Sequence, residues 1–220
     1  MNLSKRLARV ADFVPINARL ADIGSDHAYL PVALMLEEKI EFAVAGEVVK
    51  GPFESARKNV ALNGLSEKIT VRLASGLAAI EPQDEINTIT ICGMGGTLIA
   101  EILAAGDPNK ARLILQPNVA GENVRTWLNQ NNYKIIAEDI LEENEKIYEI
   151  IVAECGEQKL SEKEIEFGPF LLQEKNKIFI KKYEHEIIKN ERVLANLKNV
   201  KNIEKIKQFE NQIKKIREIL

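Results

Sequence analysis

Six residues in the first fifty have the types and spacing of a nucleotide-binding edge. Asp22, Gly24, Ser25, Asp26 and His27 close or follow the short apolar run Leu20–Ile23, and Glu47 closes a second run that starts at Glu41. A strand that stops at a glycine and turns into a helix aims free backbone N–H groups at whatever lies beyond its end. Glu47 falls about 20 residues past Gly24, the interval at which an acid after the second strand meets both hydroxyls of a ribose. An ionised carboxylate has acceptors for both of those donors. The lone Gly24 does not make a GxGxxG fingerprint, and no GxxxxGK[ST] segment follows, so neither a typical NAD site nor a P-loop is expected.

These residues need a scaffold, and the apolar pattern supplies one. Helices are expected over Leu3–Val14, Ala28–Glu38, Pro52–Asn63, Thr97–Ala105 and Glu122–Asn131, with Gly64 stopping the third. Between them lie short runs of strand type: Leu20–Ile23, Glu41–Glu47, Ile69–Leu73, Asn87–Cys92 and Arg112–Leu115. Tyr133–Ile140 and Lys146–Ala153 have no helix between them and read as a hairpin over Glu142–Glu145. Five βα units closed by an antiparallel pair describe an α/β domain, an open and mostly parallel sheet with helices on both faces. Ligands of such sheets sit beyond the carboxyl ends of the strands, where the segments bearing Gly24, Gly46, Gly76 and Gly93–Gly96 fall.

Composition narrows the classes further. The 220 residues are 45% apolar and 29% charged, as in ordinary globular proteins. No apolar run approaches a membrane span, and Met1–Val14 lacks a signal-type apolar core, so a cytoplasmic location and no membrane partner are expected. Two cysteines and two histidines give neither a disulfide framework nor a zinc-ligand pattern, and no metal site is expected. The net charge of −3 is uneven: residues 163–220 carry 14 Lys/Arg against 9 Asp/Glu, whereas residues 1–162 carry 16 against 24. A boundary near 160 is therefore expected, with a body at 1–160 and a helical tail at 161–220. Lys5, Arg6 and Arg9 lie off the apolar face of the first helix, either solvated or turned to an anionic partner.

The segments Asp22–Pro31 (DIGSDHAYLP), Gly46–Pro52 (GEVVKGP), Cys92–Gly96 (CGMGG) and Leu115–Asn118 (LQPN) together resemble the bacterial TrmK family. The resemblance runs over essentially the whole chain. It implies a Rossmann-like class I methyltransferase fold with a C-terminal helical coiled-coil domain. It also implies transfer of a methyl group from S-adenosylmethionine to N1 of adenine 22 in tRNA, leaving S-adenosylhomocysteine. On this chain it puts Asp22 and Gly24 in the turn near the methionine part of the cofactor, with Ser25, Asp26 and His27 continuing towards the pocket mouth. Glu47 takes the ribose position and Val48 lies beside the adenine. Ser75 and Gly76 follow the third strand, where related enzymes usually carry an aspartate; serine accepts a hydrogen bond without charge. Gly93, Met94 and Gly95 stand where amino-directed methyltransferases have an Asn/Asp-Pro-Pro-aromatic motif.

That replacement suits the chemistry of a ring nitrogen. Adenine N1 carries an in-plane lone pair, so its methylation needs alignment more than a base. The product ring is cationic, and Asp26 is the candidate to stabilise it, with His27 or Asn118 bonding the base. Each of these residues also has a plainer reading: Asp26 and Asn118 as helix caps, His27 as loop packing, Gly93–Gly96 as a tight turn and Glu47 as a surface acid. In the tail, Ile206, Phe209, Ile213, Ile216 and Leu220 are spaced as a coiled-coil seam, after Ile180, Ile187, Leu194 and Leu197. Asn199–Asn202 reads as the turn of a helical hairpin. Its surplus of lysine and arginine suits an RNA backbone, so tRNA is the expected partner of a monomer or weak homodimer. The rival expectations are a methyltransferase of another substrate, and an interaction protein with a degenerate pocket and a partner-recruiting coil.

Overall fold

The apolar runs of the body become one seven-stranded sheet, and their composition explains the layers. In the computed structural model, which describes residues 3–198 and 203–220, the order along the chain begins α1 (Lys5–Phe13), β1 (Ala18–Ile23), α2 (Tyr29–Leu36), β2 (Ile40–Glu47), α3 (Lys50–Leu62) and β3 (Ile69–Leu73). Two short 3-10 turns precede β4 (Thr88–Met94), α4 (Gly96–Ala104), β5 (Arg112–Pro117), α5 (Gly121–Gln130), β6 (Tyr133–Glu143), β7 (Lys146–Cys155) and α6 (Glu162–Phe167). The strands lie in the order β3-β2-β1-β4-β5-β7-β6, the first five parallel, with β7 antiparallel to both its neighbours.

Side chains alternate between the two faces, as the period of two in a strand requires. Leu20, Ile114, Ile150 and Val152 pack with α1, α2 and α3, whereas Ala21, Ile23, Leu113, Leu115 and Ile151 pack with α4 and α5. Two buried cores, one on each face, hold the sheet rigid. The switch point falls between β1 and β4: the chain leaves β1 for β2 on one side and β4 for β5 on the other. The connections therefore diverge there, and a cleft opens at the carboxyl ends.

Two of the boundaries that differ from the sequence expectation bear on the architecture. The hairpin turn is only Asn144-Glu145, at φ 50° and 63°, because β6 and β7 pair as far as Glu143 and Lys146. Two left-handed residues match the twist of the flanking strands, as in a primed hairpin turn. The first compact unit ends at Gly168, not near 160. Residues beyond 160 stay with it because the approach and α6 are tied to the sheet unit. Asn129 Oδ1 accepts the Leu160 N–H at 2.9 Å, Gln158 Oε1 accepts the Ile135 N–H at 3.0 Å, and Phe167 is buried. Ser161 and Glu164 form a capping box that starts α6.

The second unit, Pro169–Leu220, holds α7 (Pro169–Glu174), α8 (Lys177–Lys198) and α9 (Ile203–Arg217). The expected turn at Asn199–Asn202 lies outside the described residues. Along α8 the buried positions are Phe179, Tyr183, Asn190 and Leu194, while Ile180 is exposed. In the last stretch Ile213, Ile216 and Ile219 are buried and Leu220 is 43% exposed. The seam thus closes on Ile219 instead of Leu220. Arg217 reaches from α9 to Glu191 on α8 at 2.8 Å.

Candidate active site

Asp22 anchors the cleft from below. It is buried at the end of β1, where the hydroxyls of Ser25 and Thr90 each donate to its carboxylate at 2.6 Å. Burial pushes its pKa up and the two hydroxyl donors oppose that. Gly24 follows at φ +69°. A Cβ there would come within 2.0 Å of the Met94 methyl, so a larger residue would displace Met94. The Gly24 N–H donates back to Gly46 O at 2.8 Å, joining the β1 and β2 exits.

Asp26, His27 and Ala28 then take three left-handed conformations in succession, at φ 42°, 66° and 56°. Left-handed backbone costs about 1–2 kcal/mol per ordinary residue, so the loop needs outside support. It has two props: Glu47 Oε1 accepts the Asp26 N–H at 2.6 Å, and Asn59 Nδ2 donates to His27 O at 2.8 Å. His27 stacks on Tyr29 with ring centroids 5.3 Å apart. The Asp26 side chain is 85% exposed, 3.6 Å from His27 Nε2, and it does not cap the following helix. The capping alternative is therefore excluded by geometry: α2 starts from left-handed Ala28 without a side-chain cap.

Glu47 is buried, not a surface acid. Burial pushes its pKa up against the opposing Asp26 N–H. Val48 is exposed beside it, and Ser75 is exposed after β3. Gly76, at φ +53°, lies where a Cβ would press on Ile102 at 3.1 Å.

The glycines after β4 do more than make a tight turn. At Gly96 a Cβ would stand 1.9 Å from Ala120 O, and the Gly96 N–H donates to Val119 O at 2.8 Å. The Asn118 N–H donates to Met94 O at 2.7 Å, so the loops after β4 and β5 run backbone against backbone. Asn118 caps no helix, since α5 starts from left-handed Ala120. Its Nδ2 donates to Gly93 O at 2.7 Å. Its Oδ1 accepts from Gln116 Nε2 at 3.2 Å. Gln116 is fully buried, and its Oε1 accepts from the Gly93 N–H at 3.0 Å and from Arg6 Nη1.

A cavity of about 330 Å³ results, lined among others by Arg6, Asp22, Gly24, Ser25, Asp26, Gly93, Met94, Asn118 and Tyr148. Seven expected residues meet on it. His27, Glu47, Val48, Ser75, Gly76 and Gly95 lie along the same sheet edge without lining this cavity. Five further lining residues were not among the expected site residues: Arg6, Leu7, Leu30, Cys92 and Tyr148. Arg6 is the cation among the described lining residues, 5.4 Å from the centroid of the Tyr148 ring. Burial pushes the Cys92 thiol up, so it stays protonated. Gln116 offered a signal: an amide at the end of the apolar run Leu113–Leu115. Arg6 offered none beyond its helix being basic. Glu143 from the hairpin accepts the Arg6 backbone N–H at 3.4 Å and helps seat the start of α1 over the cleft.

The edge fits an adenosyl amino acid. It offers a buried acid, Glu47, at the β2 exit and a cation, Arg6, on the cavity wall, with the Met94 methyl packed over Gly24. Comparison with known proteins agrees. The family model described as tRNA (adenine(22)-N(1))-methyltransferase, TrmK, matches residues 20–218. A Bacillus subtilis protein of that description is 47% identical over 196 residues, covering 85% of this chain and 82% of its own. The structure of Streptococcus pneumoniae Sp1610 in complex with S-adenosyl-L-methionine superposes with a TM-score of 0.92 at 48% identity, covering all of both chains. Mycoplasma capricolum TrmK bound to S-adenosylhomocysteine gives 0.89 at 35% identity, covering 98% of this chain and 96% of that one. From its cleft geometry and from these matches, the chain belongs to the TrmK family of tRNA (adenine(22)-N(1))-methyltransferases.

Proposed function

We propose that this chain methylates N1 of adenine 22 in tRNA, using S-adenosylmethionine as donor and Asp26, His27 and Asn118 around the base. The observation that carries this reading is the division of charge at the cleft. The buried acid Glu47 lies on the ribose side, the cation Arg6 lies inside, and the acid Asp26 is exposed at the mouth. When bound, the donor supplies an electrophilic methyl group on a sulfonium. The residues of the chain do the rest. Glu47 takes the ribose hydroxyls, Val48 flanks the adenine of the donor, and Arg6 holds its carboxylate. Ser75 and Gly76 line the adenine side, and Gly93–Gly95 leave room for the incoming base.

No side chain has to remove a proton before attack, because N1 presents its lone pair already. What the site must supply is alignment, and stabilisation of the charge that develops on the ring. Asp26 does the second from the mouth, where its side chain is 85% exposed. Asn118 offers its amide to the edge of the base, and His27, stacked on Tyr29, forms the opposite rim. The basic faces of α8 and α9 grip the phosphate backbone, an interaction that weakens steeply with salt. The protein works as a monomer or weak homodimer in the cytoplasm; no helix among the described residues is long and apolar enough to cross a membrane.

Incorporation of radiolabelled methyl into a tRNA transcript tests the reading. Label should enter a transcript with adenine at position 22 and not one with guanine there. Equal labelling of both, or of neither, contradicts it.

A further inference from the structure

Gln116 has no place in the mechanism above, yet it is a fully buried polar side chain with both ends occupied. Its Oε1 accepts from Arg6 Nη1 and from the Gly93 N–H, and its Nε2 donates to Asn118 Oδ1. A buried amide is tolerated only when its donors and acceptors are met, so these partners define which way it points. The consequence reaches both neighbours. Arg6 sits on a half-exposed helix and would sample several rotamers without an acceptor inside the cleft. Asn118 is exposed, and its amide would rotate freely without a donor on one side and Gly93 O on the other. With both in place, the Asn118 carbonyl is fixed towards Gln116, and its nitrogen keeps one hydrogen for the cleft.

We propose that Gln116 is a positioning residue that sets Arg6 and Asn118 together, so that one amide aligns the donor's carboxylate end and the acceptor base. The inference rests on the methyl-transfer reading above and goes further, because it couples the two substrates through one side chain. The two ends of the amide are separable by chemistry. Gln116→Glu keeps an acceptor for Arg6 and for the Gly93 N–H, but it removes the donor to Asn118. Gln116→Met keeps the volume and removes both.

The test combines calorimetry with S-adenosylhomocysteine, steady-state methylation of tRNA and a thermal melt of each variant. Gln116→Glu should bind S-adenosylhomocysteine within about twofold of wild type while kcat falls about tenfold, the effect of losing the hydrogen bond that orients Asn118. Gln116→Met should lose about tenfold in S-adenosylhomocysteine affinity as well, through the freed Arg6. Arg6→Gln should copy the binding loss with a smaller change in kcat. If Gln116→Glu loses binding and turnover in step, or keeps full turnover, the positioning role is overturned. Should the Met variant melt too early to assay, the Glu and Arg6 variants carry the same decision. A wild-type protein that releases no heat with S-adenosylhomocysteine overturns the functional reading itself, and this inference with it.

Discussion

Two groups of buried acids in the sheet unit are treated in opposite ways. On the hairpin side, Arg125 from α5 is 1% exposed and lies between two carboxylates, Glu138 at 2.6 Å and Glu149 at 2.7 Å. Burial works against its charge, but the two acids outweigh that and hold it firmly protonated. Gly121 and Gly168 close over the group, since a Cβ at either would strike these side chains within 3 Å. At the cleft, Asp22 and Glu47 are buried and form no ion pair among the described residues; hydroxyls and one backbone N–H hold them. Both have pKa values raised by burial. One region completes its charges within the fold; the other leaves acceptors for a ligand to complete. On the proposed function, the first region is one that the fold cannot lose and the second is one that the donor uses.

The largest effect should come from breaking the completed region. Arg125→Leu strands two buried carboxylates and should cost about 3–5 kcal/mol, read from urea or thermal unfolding. A loss below about 1 kcal/mol would mean that the cluster is solvated and the contrast with the cleft is false. Next comes the acid left open. Glu47→Ala should weaken S-adenosylhomocysteine binding on the order of a hundredfold, by removing charge-assisted bonds to two hydroxyls and the prop to the Asp26 N–H, with a stability loss of about 1–2 kcal/mol, below that of Arg125→Leu. Its pH dependence has a definite sign. Because burial raises the pKa of Glu47, the charged acceptor is lost on acidification earlier than for a free glutamate. Affinity should therefore fall as pH drops, beginning above the usual glutamate range, and Glu47→Gln should remove that step.

A smaller effect is expected at the mouth. Asp26 is exposed, so its field is screened and Asp26→Ala should lower kcat only about five- to tenfold, with S-adenosylhomocysteine binding nearly unchanged. Unchanged kcat would remove Asp26 from the mechanism. The smallest change concerns the turn that joins β6 to β7. Glu145 is left-handed there, and Glu145→Gly should raise stability by about 0.5–1 kcal/mol without touching activity.

Strand and helix order was legible because each run changes period where its surroundings change. Leu20–Ile23 is apolar apart from Asp22 because both faces are covered, and Gly24 and Gly95 stand where strands give way to turns. The position of Glu47 was legible from spacing alone, and so was the hairpin. Other features depend on partners distant in sequence. Nothing near Ser161 announces that α6 stays with the sheet unit, since the ties run to Asn129 and Ile135. The choice of Phe179 and Tyr183 over Ile180 on α8, and of Ile219 over Leu220 at the end, shifts a helical stripe by one residue, which apolar content cannot resolve. Asp26 and Asn118 look like caps in sequence because both precede helices. Left-handed Ala28 and Ala120 displace them, and such backbone turns leave no mark in residue type. Arg6 lies 110 residues from Gln116 in the chain, beyond the reach of any local pattern.

Mass spectrometry of nucleosides and nuclease fragments from tRNA, after incubation with the pure protein and S-adenosylmethionine, tests the central claim most directly. The account predicts 1-methyladenosine in the fragment containing position 22 and in no other. Methylation on the exocyclic nitrogen, at a different position, or nowhere would contradict it.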